Sequence, residues 1–138
     1  MSKILILDSS AMLSCLMPDE NPDWGDSLLD KIAEEGAVVP NLWTLEIANS
    51  LLVAERRKRI DQKMRLALLK ALSALPIKVD PHTTDYAFNK TSSLAEKHSL
   101  SLYDAAYLEL AIRLKGHLAS CDQALIKAAK ENKITIYV

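Results

Sequence analysis

The feature that most constrains this chain is the stretch Lys3-Ile4-Leu5-Ile6-Leu7-Asp8, followed by Ser9-Ser10-Ala11. Four aliphatic residues run without a break and then stop at an acid. So short an apolar run suits a strand covered on both faces, as in a parallel sheet between helices, and is too short for a buried helix. Ligands of open α/β sheets bind beyond the carboxyl ends of the strands, where the chain turns into a helix. Asp8 therefore stands where a functional acid would stand, and the remaining chain can be searched for others that reach the same edge.

The rest of the chain alternates in the same way. Residues 9–17 suit a short helix stopped by Pro18, and Asp23 opens another to about Glu34, ended by Gly36. Ala37-Val38-Val39 reads as a second strand. Asn41 is placed to cap a helix over 42–58, and Asp61 one that reaches Leu75 before Pro76. Ile77-Lys78-Val79 is a third strand, followed by a polar helix over 84–97. A strongly apolar helix spans 102–114, residues 117–120 form a fourth strand, Asp122 opens a last helix to Glu131, and 134–138 form a fifth strand. This pattern predicts a three-layer α/β/α fold around a central, mostly parallel sheet of about five strands, with right-handed crossovers. The 138 residues suit one domain, 1–138, with no internal repeat.

Composition excludes several function classes. Three glycines leave no P-loop and no GxGxxG, so phosphate-cradle nucleotide chemistry is not expected. Two cysteines, Cys15 and Cys121, and three scattered histidines make no zinc spacing, and the thiols read as reduced cysteines of a cytoplasmic protein. No apolar run approaches the roughly 20 residues of a membrane span, and the N-terminus does not read as a signal peptide. The net charge of −1 gives no global basic field, so any nucleic-acid binding must rest on a local patch. The densest is Arg56-Arg57-Lys58-Arg59. It suits RNA phosphates, and equally suits a solvated helix end.

Acids recur just after strands or near the starts of the following helices: Asp8, Glu46, Asp104 and Asp122. In a parallel sheet all four converge on one edge. Each of three has a structural alternative. Ser101-Leu102-Tyr103-Asp104 fits a capping box, while Asp8 and Asp122 suit plain N-caps. Glu46 is different, lying between Leu45 and Ile47 inside a helix where no cap explains it. Two carboxylates about 5 Å apart at an effective dielectric near 20 repel by about 3 kcal/mol. Four together must share protons or surround a cation. All-oxygen donors without sulfur or imidazole select Mg²⁺ or Mn²⁺, which can activate water against a phosphodiester.

These residues resemble the PIN-domain ribonucleases, most closely the VapC-type toxins of toxin–antitoxin pairs. ILILDSSAML (4–13), LWTLEIANSL (42–51), SLSLYDAAYLELA (99–111) and LASCDQALIKAA (118–129) resemble the four motifs of the family in order. The resemblance implies Asp8, Glu46, Asp104 and Asp122 around Mg²⁺ or Mn²⁺, cleavage of single-stranded or looped RNA, a homodimer, and an antitoxin whose tail lies across the acidic groove. It also implies that Asn49 hydrogen-bonds a metal ligand or its water, the alternative being a core amide. Ser120 keeps the hydroxyl of the threonine that many members carry, and Ser99 replaces a frequent glycine. Arg113, two and a half turns beyond Asp104, belongs on the opposite side of its helix. Two other readings are a PIN-like module that binds RNA or protein without cutting, and an RNA-processing nuclease with no antitoxin.

Overall fold

A computed structural model describes residues 3–138. Among them four strands form one parallel sheet: β1 (Leu5–Leu7), β2 (Ala37–Val39), β3 (Ile77–Val79) and β4 (His117–Ala119), in the order β3-β2-β1-β4. β1 is central and buried along its whole length, as its unbroken apolar run requires. Ile6 pairs in register with Val38 on one side and Leu118 on the other. Gly116 lets β4 approach, since a Cβ there would lie 2.6 Å from the Ile4 carbonyl oxygen.

Helices α1 (Ser9–Leu16) and α2 (Gly25–Glu35) connect β1 to β2, and α3 (Trp43–Arg56) and α4 (Gln62–Ser73) connect β2 to β3. Then α5 (Ser92–His98) and α6 (Leu102–Leu114) lead back to β4, and α7 (Gln123–Glu131) follows it. The chain steps outward from β1 to β3 and then returns across the sheet, so right-handed crossovers put α1–α4 on one face and α5–α6 on the other. The packing agrees: α1 meets α2 and α3, and α3 meets α4, whereas α6 meets α5, α7 and β1. Residues 105–111 of α6 are all buried, which explains why that helix is apolar on every side. Met12, Leu28, Ile32 and Leu51 fill the first interface, and Tyr107, Leu108 and Leu125 the second.

Three expectations need correction. The fifth strand is reduced to a single parallel bridge between Leu118 and Ile136, held by bonds from the Leu118 amide to Thr135 (3.0 Å) and from the Tyr137 amide to Leu118 (2.8 Å). The helix over 84–97 is broken into a 3₁₀ turn (Thr83–Tyr86), a π turn (Ala87–Thr91) and α5. Ser92 donates its hydroxyl to the Ala87 carbonyl five residues back, a bond that suits the widened turn. Finally, Asn41 does not cap α3: its amide donates to the Thr83 hydroxyl (3.1 Å), and the helix starts at Trp43 without a side-chain cap. Asp23 likewise does not cap α2, which starts at Gly25 without a side-chain cap, but three other starts hold. Asp61, Ser101 and Asp122 each accept from an amide three residues on. Gly36 ends α2 at φ 77°, and a Cβ there would lie 2.7 Å from the Pro76 carbonyl.

Candidate active site at the carboxyl edge

β1 and β4 are neighbours, yet the chain leaves them in different directions: β1 feeds α1 on one face, and β4 feeds α7, which packs on α6. That divergence is a topological switch point, the place where an open α/β sheet leaves a crevice. Asp8 sits there, directly after β1, with its amide bonded to the Ala119 carbonyl of β4 (2.9 Å). The residue is 4% exposed. Although Asp8 occupies the N-cap position of α1, it makes no side-chain capping bond, so the structural reading fails for this residue. Instead Oδ2 accepts the hydroxyls of Ser10 (2.6 Å) and Ser120 (2.7 Å).

Those two serines also fix the β4 loop. Ser120 accepts the Asp122 amide (3.0 Å), and Ser10 accepts the Cys121 amide (3.0 Å). Asp122 in turn caps α7 by accepting the Leu125 amide (3.0 Å). Asp104 lies in the first turn of α6, its amide bonded to the Ser101 hydroxyl (3.1 Å), which sets the helix start at the same edge. Glu46 projects from the first turn of α3, and Tyr107, one turn beyond Asp104, donates its hydroxyl to Glu46 Oε1. Tyr107 thereby ties α6, the helix that carries Asp104, to Glu46 in the opposite layer.

The electrostatics show that the four acids share one field. Burial pushes the Asp8 carboxyl up; the Ser10 and Ser120 hydroxyls offset part of this, and the charge of Asp122 adds to it. Burial likewise raises Asp104, reinforced by the charges of Asp122 and Asp8. Burial raises Glu46, opposed by the Tyr107 hydrogen bond and reinforced by Asp8 and Asp104. Burial and the Glu46 carboxylate raise Tyr107, which keeps its phenol protonated as the donor. Cys121, exposed beside this edge, also has a raised thiol, from burial first and from the Asp8 charge next, and both cysteines are free.

As the side chains stand, no group of three Asp, Glu, His or Cys residues among the described residues is drawn tightly enough to grip an ion. The donor chemistry nevertheless suits a hard divalent cation: the converging groups are carboxylates, each of three has its ionised form disfavoured, and a cation among them would relieve all three at once.

The remaining expected residues divide. Ser120 touches Asp8 directly. Asn49, one turn beyond Glu46, is exposed beside Leu13, Met17 and Arg57 and its side chain makes no hydrogen bond among the described residues, so it is neither a core amide nor a partner of the acids here. Arg56, Arg57 and Lys58 are exposed and free of ion pairs among the described residues, but Arg59 is engaged by Asp19 (2.8 Å) and Glu20 (3.0 Å), which corrects its reading as an open phosphate contact. Arg113 is indeed away from the acids. It donates to Glu109 (2.8 Å) and Asp80 (2.6 Å), both buried, and stacks on Tyr86 at 4.7 Å. Burial pushes the Asp80 carboxyl up, but its bonds from Arg113, the His82 amide and Thr83 outweigh this and hold it below the usual range.

Sequence reasoning passed over Ser10, Tyr107, Glu109 and Asp80. Glu109 carried a visible signal, an acid between Leu108 and Leu110 with Arg113 one turn on, the same kind of anomaly that singled out Glu46. Tyr107 carried none, since an aromatic in an apolar helix reads as core.

Comparison with known proteins agrees with this architecture. The curated Ribonuclease VapC3 of Pyrobaculum aerophilum is 26% identical over 121 residues, covering 88% of this chain and 91% of the relative. Among solved structures, PAE2754 of Pyrobaculum aerophilum matches with a TM-score of 0.65 at 22% identity, covering 93% of this chain and 87% of that one. FitAcB of Neisseria gonorrhoeae matches with a TM-score of 0.67 at 16% identity, covering 98% and 97%. The model of the PIN domain matches residues 5–131, and the chain belongs to that family.

Proposed function

We propose that this chain is a metal-dependent endoribonuclease, the toxin of a toxin–antitoxin pair, working in the cytoplasm as a homodimer restrained by a cognate antitoxin. The observation that carries the catalytic part is the meeting of Asp8, Glu46, Asp104 and Asp122 at the switch point between β1 and β4, where three of them are raised by burial and by one another. The ribonuclease relative supports RNA as the substrate. Bound Mg²⁺ or Mn²⁺ would supply Lewis acidity at the phosphodiester.

The chain's own residues do the rest. Ser10 and Ser120 fix the Asp8 carboxylate through Oδ2, and the charge of Asp122 acts on it. Tyr107 anchors one oxygen of Glu46, which is only half-buried. Glu46 is the group we assign to draw a proton from the attacking water, because burial raises its affinity for protons while the residue stays only half-buried.

The test is cleavage of single-stranded RNA with added Mn²⁺. Asp8→Asn and Asp104→Asn should each abolish cleavage while circular dichroism and thermal unfolding stay close to those of the parent. Undiminished, metal-independent cleavage by the double variant refutes the proposal. The capping bond of Asp122 to Leu125 favours one other reading, a PIN-fold module that binds RNA without cutting. Calorimetric titration separates them, since RNA binding with no heat of Mn²⁺ binding at millimolar metal selects the module.

A further inference from the structure

Beyond the acids, the cations of this chain are unevenly placed. Helix α7 starts at the acidic edge with Asp122 and runs back toward the opposite, amino edge of the sheet. Its exposed residues Gln123, Lys127 and Lys130 lie at i, i+4 and i+7, on one face, and line a common shallow depression with Ile126 as its apolar floor. The chain then turns through Lys133, exposed in a left-handed conformation at φ 61°. Lys133 opens onto a second depression at the amino edge, shared with Lys3, Lys115 and His117. None of Lys115, Lys127, Lys130 and Lys133 makes an ion pair among the described residues. One acid, Glu131, lies within the row and lines the same depression as Lys127 and Lys130, with His98 Nδ1 3.1 Å away, so three lysines face one carboxylate. In a chain of net charge −1, this line of unpaired lysines stands against the acidic edge as a separate positive feature.

We propose that the exposed face of α7, from Gln123 through Lys127 and Lys130 to Lys133, is a track that holds the backbone of single-stranded RNA leading into the acidic edge. The proposal rests on the ribonuclease reading. Charge complementarity selects the occupant: a row of unpaired ammonium groups matches a row of phosphates, and lysine contacts of this kind carry affinity without base readout. Scale fits as well. Nine helical residues rise about 13 Å, and grooves that follow single strands hold about four nucleotides or more. The row begins beside Asp122, so a strand lying along it delivers its end to the carboxylates without turning.

The test is fluorescence anisotropy with a fluorescein-labelled, single-stranded oligoribonucleotide of mixed sequence, titrated at several salt concentrations with the full chain carrying Asp104→Asn so that the probe stays intact. Adding Lys127→Ala, Lys130→Ala and Lys133→Ala together should weaken binding about tenfold or more at low salt. It should also flatten the dependence of log affinity on log salt by about two, as expected for three lost phosphate contacts. Arginine at the same three positions should restore both, and Lys70→Ala, on α4, should change neither. In the cleaving protein the triple variant should raise KM far more than it lowers kcat. Unchanged affinity and salt slope in the triple variant overturn the proposal, whatever the cleavage result. A wild-type chain that cuts no RNA overturns the ribonuclease reading alone, and the anisotropy then still decides the track.

Discussion

Replacing Tyr107 with phenylalanine isolates one interaction of the acidic edge. The ring is fully buried in α6 and its hydroxyl donates to Glu46 Oε1 on α3. Tyr107→Phe keeps the ring and opens no cavity, so the change is confined to one donor and one carboxylate. A hydrogen bond to a charged group contributes about 1.5–3 kcal/mol. Glu46 is only half-buried, so water takes over part of that role, and the loss should be about 1 kcal/mol at neutral pH. For a chain of this size that lowers Tm by about 3–4 °C. The pH dependence gives the sharper test. The Tyr107 bond lowers the Glu46 pKa against a larger rise from burial. Removing it raises that pKa further. The stability deficit therefore belongs to the ionised form: it is present at neutral pH and shrinks as pH falls through the raised pKa of Glu46. The acidic limb of the cleavage profile should move to higher pH in the variant. Differential scanning calorimetry across the acid range, with the matching pH–rate profile, checks both. A deficit as large in acid as at neutrality, or an unmoved acidic limb, would refute the assignment of Tyr107 as the partner that tunes Glu46.

Two further outcomes follow from the same geometry. Arg113→Met leaves Asp80 and Glu109 as uncompensated buried charges, and urea unfolding should show a loss of about 3–5 kcal/mol at neutral pH. Because Asp80 is held below the usual carboxylate range, its share of the native stability is present above the ordinary aspartate pKa and is lost as pH falls through the depressed value, so the gap to the parent should close in strong acid. Ser120→Ala removes a donor to Asp8 and the acceptor of the Asp122 amide; it should cost about 1.5–3 kcal/mol in chemical denaturation and reduce cleavage, while Ser120→Thr retains most of both.

The sheet was legible because its signals are local. Four aliphatics before Asp8, the Ala37–Val39 run and the capping serine and aspartates each act within a few residues, and β1, β2 and most helix starts follow them. Asp8, Glu46 and Asp104 could be grouped because strand order in a parallel sheet carries each acid to one edge. What escaped depends on distance through space. Tyr107 meets Glu46 across 61 positions. Asp80 looked like part of a turn with Pro81, yet its partner Arg113 is 33 residues away. The expected fifth strand had suitable residues, and no property of 134–138 records that only Ile136 bridges to β4. The break of the helix over 84–97 is similar, since the tie from Thr83 to Asn41 belongs to another part of the chain.

Helix α6 carries Asp104 in its first turn and ends, two and a half turns beyond that acid, in the clasp of Arg113 on Asp80 at the far margin of the sheet. It is thus a strut pinned at its remote end by charge and along its length by burial. Damage where β3 leaves the sheet would then be felt at the acids, because the helix that carries one of them has lost its anchor. Mutational screens of this protein should accordingly find inactivating changes around Asp80 and Arg113 that touch neither the carboxylates nor RNA.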